Sequence, residues 1–224
     1  MIPWVPLGTA SIPGGGELRL MRRGSEYSIM IGGNELMNSR LSGSEEALAT
    51  LAAERIGARP SARILIGGLG MGFTLRAALA SFAADAGVTV AELVPGVVEW
   101  ARGPMAEVFG NTLSDPRVGI AVEDVAETIG RARGVYDAIL LDVDNGPDGL
   151  TRSGNDGLYG WTGLAASLEA LTPGGVLGIW SQGADAAFTA RLRRAGFEVE
   201  ELRVKAGRGR GTKHVLWFGT KTGR

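Results

Sequence analysis

Short apolar runs alternate along most of the chain with segments that favour helices. The apolar runs cover residues 62–67, 88–93, 118–122, 136–141 and 175–180. Helix-favouring segments separate most of them, at residues 73–84, 95–109, 123–132 and 161–171. One more helix and two last strands are predicted at residues 184–195, 197–204 and 213–219. This alternation predicts an α/β fold with a mainly parallel sheet that helices cover on both faces.

The first part of the chain follows a different pattern. Residues 17–32 alternate between apolar and polar positions, which predicts a small β-hairpin. Ser44 stands directly before two acids, which predicts that it is the N-cap of a helix running through Arg55. We therefore expect a short N-terminal hairpin or lid segment at 1–43 and a larger sheet domain at 44–224.

A cluster of glycines follows the first apolar run of the predicted sheet. Within Ile64–Phe73 the chain carries Gly67, Gly68, Gly70 and Gly72, and a helix-favouring segment comes next. Glycine allows backbone angles that other residues avoid and lets a ligand approach the main chain closely. The spacing lacks the full G-x-G-x-x-G pattern of dinucleotide sites. The turn therefore predicts a nucleotide-like ligand, with an ordinary strand-to-helix turn as the alternative.

Acidic and polar residues stand where the predicted strands end. Glu92 ends the second strand, 25 positions after Gly67 (92 − 67), and acids about 20 residues after such a turn bind ribose hydroxyls. The third, fourth and fifth strands are followed by Glu123-Asp124, by Asp142-Val143-Asp144-Asn145 and by Ser181-Gln182. Parallel strands end at one edge of their sheet, so we expect these side chains to meet around one ligand.

The composition of the chain argues against several classes of function. The 224 residues are 45% hydrophobic, enough for a full core, and the net charge of −1 gives no field that would attract nucleic acid. The chain has no cysteine and one histidine, His214, which argues against disulfides and against a cysteine or histidine metal site. The sequence also shows no signal peptide and no membrane-length apolar run, so we expect a cytoplasmic protein without a metal.

Six segments carry a resemblance to a known family. They are Ile64–Arg76, Val90–Pro95, Asp115–Val118 with the following Glu123-Asp124, Tyr136–Asp142, Leu171–Leu177 and Ser181–Gly183. They resemble the class I S-adenosylmethionine-dependent transferases, and within that group most closely the spermidine synthases (polyamine aminopropyltransferases). The resemblance implies a Rossmann-like class I methyltransferase fold with a seven-stranded, mainly parallel sheet. It also implies S-adenosylmethionine or its decarboxylated form as co-substrate, and a possible homodimer.

The resemblance implies roles for particular residues around that co-substrate. Gly67, Gly68 and Gly70 would line its methionine and ribose part, and Glu92 would hold the ribose hydroxyls. Asp124 would accept a hydrogen bond from the adenine amino group, with Val125 beside the ring. Asp142 would face both the co-substrate and the reacting centre. In the family, the corresponding Asp assists deprotonation of the attacking amine.

The sequence also predicts residues that would bind the amine acceptor at the same edge of the sheet. Glu45 and Asp144 would add negative charge for a small amine, while Tyr159 and Gln182 would contact the acceptor from neighbouring loops.

Two segments depart from the spermidine synthase pattern and leave the reaction open. The family has Asp-Ser-Ser-Asp or Asp-Ser-Thr-Asp where this chain has Asp142-Val143-Asp144-Asn145, and it has a Tyr-His-Glu cluster where residues 42–48 contain neither Tyr nor His. Three hypotheses follow. The protein transfers an aminopropyl group to a small amine, it methylates a small molecule, or it binds a nucleotide without catalysis.

Overall fold

An antiparallel sheet of four strands forms the first part of the protein. The computed structural model describes residues 2–143, 155–207 and 212–223. The four strands are β1 (Val5–Ser11), β2 (Glu17–Arg23), β3 (Glu26–Ile31) and β4 (Asn34–Asn38), hydrogen-bonded in that order. The hairpin predicted over 17–32 is confirmed as β2 and β3. Strands β1 and β4, which the sequence pattern did not indicate, extend it on either side.

A seven-stranded sheet forms the larger part. Its strands are β5 (Arg63–Gly67), β6 (Gly87–Ala91), β7 (Val118–Ala121), β8 (Tyr136–Leu141), β9 (Leu171–Ser181), β10 (Phe197–Lys205) and β11 (Lys213–Lys221). Their order is β10-β11-β9-β8-β5-β6-β7. Strands β5 to β9 are parallel, whereas β11 pairs antiparallel with both β9 and β10. The predicted fold class is confirmed.

Helices cover both faces of this sheet. The described helices are α1 (Gly43–Ile56), α2 (Phe73–Ser81), α3 (Pro95–Arg102), α4 (Ala106–Phe109), α5 (Val125–Arg131), α6 (Asn155–Tyr159), α7 (Trp161–Ala170) and α8 (Ala186–Arg194). Alternate residues of β5 enter different cores, since Ile64 and Ile66 pack with α1, α2 and the N-terminal sheet while Leu65 packs with α5, α7 and α8. None of the described helices has the length and apolar character needed to span a membrane.

Several helix boundaries differ from the sequence prediction, among them those of α1, α3 and α4. The single helix predicted over 95–109 is two helices, α3 and α4, because Pro104 lacks the N–H group that a continuing helix requires. Helix α1 begins at Gly43 with Ser42 as its N-cap residue, so the prediction that Ser44 caps this helix was wrong. The hydroxyl of Ser44 is therefore available for other contacts.

The strand order places a crevice at one point of the sheet edge. The chain passes from β5 to β6 on one side and later returns to add β8 on the other side of β5. Ligands of such sheets bind in the crevice beyond the carboxyl ends of the strands, where the order reverses. The glycine turn follows β5 and Asp142 follows β8, so both lie at this reversal.

Candidate active site

A cleft opens beside the glycine turn, at the carboxyl ends of β5, β6 and β8. Its volume is about 840 Å³ including the open mouth. The sheet edge supplies Gly68, Gly70, Glu92, Asp124 and Asp142 to its wall. The N-terminal sheet supplies the facing apolar wall, with Ile12, Leu18, Ile29, Leu36 and Met37. We call this cleft the glycine pocket. The N-terminal strands are thus part of the site, a contribution that the sequence pattern did not reveal.

The glycine turn approaches its neighbours too closely for larger residues. Gly68 has φ +90°, and a Cβ on it would lie 2.4 Å from the carbonyl oxygen of Asp142. Gly70 has φ +49°, and a Cβ there would lie 2.9 Å from the Met37 sulfur. Both glycines line the pocket. Gly67 does not, because the space above it is filled by the side chains of Val125 and Leu141.

Glu92 lies deep in the glycine pocket with only 7% of its surface exposed. One carboxylate oxygen accepts from the backbone N–H of Leu69 and the other from that of Val94, each at 2.8 Å. Glu92 therefore joins the glycine turn to the start of α3. Each carboxylate oxygen has more than one acceptor position, so the same group is chemically able to receive a ribose hydroxyl.

Asp124 and Val125 form the far side of the glycine pocket. Asp124 is the N-cap of α5, and its carboxylate accepts from the Ala126 N–H at 2.9 Å. Val125 packs against Gly67 and presents an apolar surface beside the acid. An acid next to an apolar wall suits an aromatic ring that carries a hydrogen-bond donor.

A second, smaller cleft adjoins the first. Its volume is about 450 Å³ including its mouth. Its wall includes Asn38, Glu45, Phe73 and Trp180, and we call it the tryptophan pocket. Leu36, Met37, Gly70 and Asp142 line both pockets. Among the described residues, Asp142 is the acid that lines both pockets.

Asp142 is fixed from two directions. Its backbone N–H donates to the Gly67 carbonyl at 3.0 Å, and its carboxylate accepts from the Thr74 hydroxyl at 2.6 Å. Burial raises the pKa of Asp142 to about 6, and the hydrogen bond from Thr74 opposes that rise. A carboxylate with such a pKa is ionised at neutral pH and is also a usable proton acceptor. The sequence did not single out Thr74, which lies on α2, 68 residues before Asp142.

Glu45 is the second acid of the tryptophan pocket. Burial raises its pKa to about 7, the negative charge of Asp142 adds to the rise, and a hydrogen bond from Ser44 opposes it. The Ser44 oxygen lies 2.6 Å from the Glu45 carboxylate and 2.8 Å from Nδ1 of His214. The His214 ring packs edge-on against Trp180 at 4.7 Å, and burial lowers its pKa. Sequence reasoning proposed Glu45 for the site but did not connect Ser44 or His214 with it.

Comparison with solved structures finds the same fold in spermidine synthases. A scan against protein-family models and a search of curated proteins found no match. A crystal structure of spermidine synthase in complex with the transition-state analogue AdoDATO is similar with a TM-score of 0.78 at 18% identity, covering 96% of this chain and 73% of that one. The spermidine synthase of Thermotoga maritima gives a TM-score of 0.75 at 16% identity, covering 96% and 72%.

A probable spermidine synthase from Corynebacterium glutamicum is also similar, with a TM-score of 0.68 at 17% identity, covering 97% of this chain and 81% of that one. The protein has a spermidine synthase-like fold. At these identities the likeness extends to the fold, whereas the chemistry depends on the residues of the site.

The structure brings most, but not all, of the predicted site residues together. Gly68, Gly70, Glu92, Asp124, Val125 and Asp142 line the glycine pocket, and Glu45 joins Asp142 in the tryptophan pocket. Tyr159 is 1% exposed and packs edge-on against Phe188 in the core on the α7 and α8 face, outside both pockets. Gln182 is exposed at the end of β9 and lines neither pocket. Asp144 lies outside the described residues.

Metal ligation finds no support in the described part of the chain. No three acidic or histidine side chains there are grouped as a metal ion would require. A metal-free site stays a prediction.

Proposed function

We propose that the protein is an aminopropyltransferase that moves the aminopropyl group of decarboxylated S-adenosylmethionine to a small amine. The observation that carries the proposal is the position of Asp142, which lies where the glycine and tryptophan pockets meet. A group at that junction touches the donor on one side and the acceptor on the other. The spermidine synthase-like fold supports this reading.

The glycine pocket suits the donor. Glu92 would accept from the ribose hydroxyls, and Asp124 would accept from the adenine amino group while Val125 covers the ring. Among its described lining residues the pocket has three acids and no Lys, Arg or His. Such a wall favours a donor that ends in an ammonium group over one that also carries a carboxylate, since like charges repel.

The tryptophan pocket suits an amine. Glu45 and Asp142 supply the negative charge that attracts an ammonium group, while Phe73 and Trp180 supply apolar and aromatic surface for its carbon chain and its cation. The described residues of this wall again include no basic side chain. A small aliphatic amine therefore fits both the charge and the surface of the pocket.

The chemistry requires one proton transfer and one displacement. The acceptor ammonium gives a proton to a carboxylate, which frees the nitrogen lone pair. That lone pair attacks the aminopropyl carbon attached to sulfur. A carbon–nitrogen bond forms, the carbon–sulfur bond breaks, and its electron pair stays on sulfur in neutral methylthioadenosine. In this proposal, Asp142 accepts the proton and aligns the amine for in-line attack.

Calorimetry and product analysis together test the proposal. We expect decarboxylated S-adenosylmethionine and methylthioadenosine to bind more tightly than S-adenosylmethionine and S-adenosylhomocysteine. We also expect methylthioadenosine to be released when the decarboxylated donor is mixed with putrescine or a related amine. Preference for the carboxylate-bearing pair, with S-adenosylhomocysteine as product, would instead identify a methyltransferase. Binding of none of the four would contradict both enzyme hypotheses.

Other properties remain predictions from the sequence. They are the homodimer, the absence of nucleic-acid and membrane partners, the cytoplasmic location, and the division into segments 1–43 and 44–224.

A further inference from the structure

A buried hydroxyl connects the tryptophan pocket to the only histidine in the sequence. Ser44 has no exposed surface and lies on α1, whereas His214 lies on β11, 170 residues later. The Ser44 oxygen is 2.6 Å from a Glu45 carboxylate oxygen and 2.8 Å from His214 Nδ1. Carboxylate, hydroxyl and imidazole thus form one continuous hydrogen-bonded chain. Neither Ser44 nor His214 lines the pocket itself.

The hydrogen bonds among these three side chains have two possible directions, because a serine hydroxyl carries a single hydrogen. In one direction, protonated Glu45 donates to the Ser44 oxygen and Ser44 donates to His214 Nδ1. In the other direction, His214 Nδ1–H donates to Ser44, and Ser44 donates to ionised Glu45. The change from the first arrangement to the second moves one proton from Glu45 to His214 without moving a heavy atom.

We propose that Glu45, Ser44 and His214 form a proton relay that removes the acceptor amine's proton from the active site. The proposal rests on the transfer reaction proposed above. That reaction converts an ammonium and a sulfonium into one substituted ammonium, neutral methylthioadenosine and one free proton. Asp142 and Glu45 are both in the pocket that would receive the ammonium, so the proton begins beside this relay.

Each proton movement in the relay balances. Asp142 passes the amine's proton to Glu45, which lines the same pocket, and Glu45, then a neutral carboxylic acid, gives it to the Ser44 oxygen. Ser44 gives its own hydrogen to His214 Nδ1. His214, now doubly protonated, loses the hydrogen on Nε2 to water and returns to a neutral imidazole. Glu45 is left ionised for the next ammonium.

The surroundings of the relay support it. Glu45 faces Asp142 from the end of β8 and Glu46 on its own helix, and burial brings its pKa to about 7. His214 faces Ser44 on α1 and the Trp180 ring on β9, and burial lowers its pKa. Burial therefore favours the neutral form of both groups, so His214 is an imidazole with an acceptor nitrogen when Glu45 holds the proton, and the imidazolium that forms loses its proton to water. His214 keeps part of its surface exposed, as an exit to water requires.

Nitrogen NMR of labelled histidine tests directly whether Glu45, Ser44 and His214 are connected by hydrogen bonds. With one histidine in the sequence, such a sample reports on His214 alone. We expect Glu45→Gln to shift the titration midpoint of His214 by about half a pH unit or more, because the ring loses the titrating group with which it exchanges a proton through Ser44. Ser44→Ala should change both the midpoint and the Nδ1 signal. Exposed Glu54→Gln on the same helix, and Ser81→Ala on α2, are the matched controls and should change neither. An unchanged midpoint in both relay variants would overturn the proposal.

Chemical rescue tests the relay during turnover. We expect His214→Ala to lower kcat by about 10-fold or more with KM nearly unchanged, and added imidazole to restore most of the loss. Imidazole should not rescue Ser44→Ala, because the link to Glu45 is missing. A folded His214→Ala variant that keeps wild-type kcat, or that imidazole fails to restore, would contradict the relay.

The two proposals fail in different ways. If the wild-type protein releases no methylthioadenosine with any amine, the transfer reaction is wrong, and the His214 titration alone then decides whether the chain exists. If the wild type turns over normally but the rescue fails, the transfer reaction stands and the relay does not.

Discussion

The glycine pocket and the tryptophan pocket hold their acidic side chains by different kinds of contact. In the glycine pocket, Glu92 and Asp124 are fixed by backbone N–H groups of nearby turns, including those of Val94 and Ala126, each two residues further along the chain. In the tryptophan pocket, Asp142 accepts from Thr74 across 68 residues, and Glu45 connects to His214 through Ser44 across 170 residues.

The two kinds of contact suit two different tasks, ligand recognition and proton transfer. Backbone donors hold the Glu92 and Asp124 carboxylates in place as hydrogen-bond acceptors, which suits the recognition of hydroxyl and amino groups. Burial raises the pKa values of Asp142 and Glu45 to about 6 and about 7, although hydrogen bonds from their hydroxyl partners oppose the rise. Such acids are able to take up and release a proton during a reaction. One pocket is therefore built for binding and the other for proton transfer.

The largest expected effect comes from Asp142→Asn, which separates catalysis from donor binding. The amide oxygen of Asn is still able to accept from Thr74, so the fold should persist, but the proton acceptor is lost. We expect kcat to fall by about 100- to 10,000-fold, with donor affinity in calorimetry close to wild type. Normal turnover in this variant would remove Asp142 from the mechanism.

Gly68→Ala adds a methyl group where the backbone of the glycine pocket lies close to the backbone of Asp142. The added Cβ would lie 2.4 Å from the Asp142 carbonyl oxygen at φ +90°. We expect a loss of about 2–6 kcal/mol in the free energy of unfolding from strain and overpacking together, accompanied by weaker donor binding. Gly134→Ala is the matched control, since its φ of +59° is also positive but no atom lies within 4 Å of the new Cβ. Equal losses of unfolding free energy in the two variants, measured by urea denaturation, would contradict the close approach of Gly68 to the Asp142 carbonyl.

Glu92→Ala tests whether one acid serves both structure and recognition. The variant leaves the N–H groups of Leu69 and Val94 without their carboxylate acceptor, which costs about 1–3 kcal/mol of stability. It should also weaken donor binding, because the ribose hydroxyls lose their acceptor. Exposed Glu99→Ala on α3 controls for the change of charge and should do neither. Unchanged donor affinity in Glu92→Ala would refute the ribose assignment.

The smallest effect is a pH dependence of stability that belongs to the tryptophan pocket. The pKa values of Asp142 and Glu45 rise from ordinary values of 3.8 and 4.5 to about 6 and 7 in the folded state. Between these limits the folded protein holds more protons than the unfolded chain, so the free energy of unfolding falls as pH rises through that window.

Variants of two glutamates on α1 isolate this effect. Glu45→Gln should make the fall with pH shallower, whereas exposed Glu54→Gln should leave it as in wild type. Denaturation midpoints measured from pH 4 to pH 8 provide the comparison. The same slope in Glu45→Gln and wild type would contradict the raised pKa of Glu45.

The sequence predicted the sheet and much of the glycine pocket because their signals are local. The apolar runs mark β5 to β9, and Glu92 and Asp124 stand directly after strands that end at one edge. The prediction for Tyr159 relied on closeness along the chain to an edge loop, whereas the ring packs into the core against Phe188. The prediction that Ser44 caps α1 relied on residue type, but the N-cap is Ser42, two residues earlier.

What the sequence determined by itself was the α/β fold, the glycine turn and the acids of the strand ends, since each depends on residues within one strand–turn–helix unit. The tertiary structure alone decided that the N-terminal strands cover the glycine pocket and that Ser44 meets His214. It also decided that Thr74 holds Asp142 and that Asp142 lies between two pockets. These contacts join distant segments, and burial, which sets the pKa values of Asp142 and Glu45, exists only once those segments have packed together.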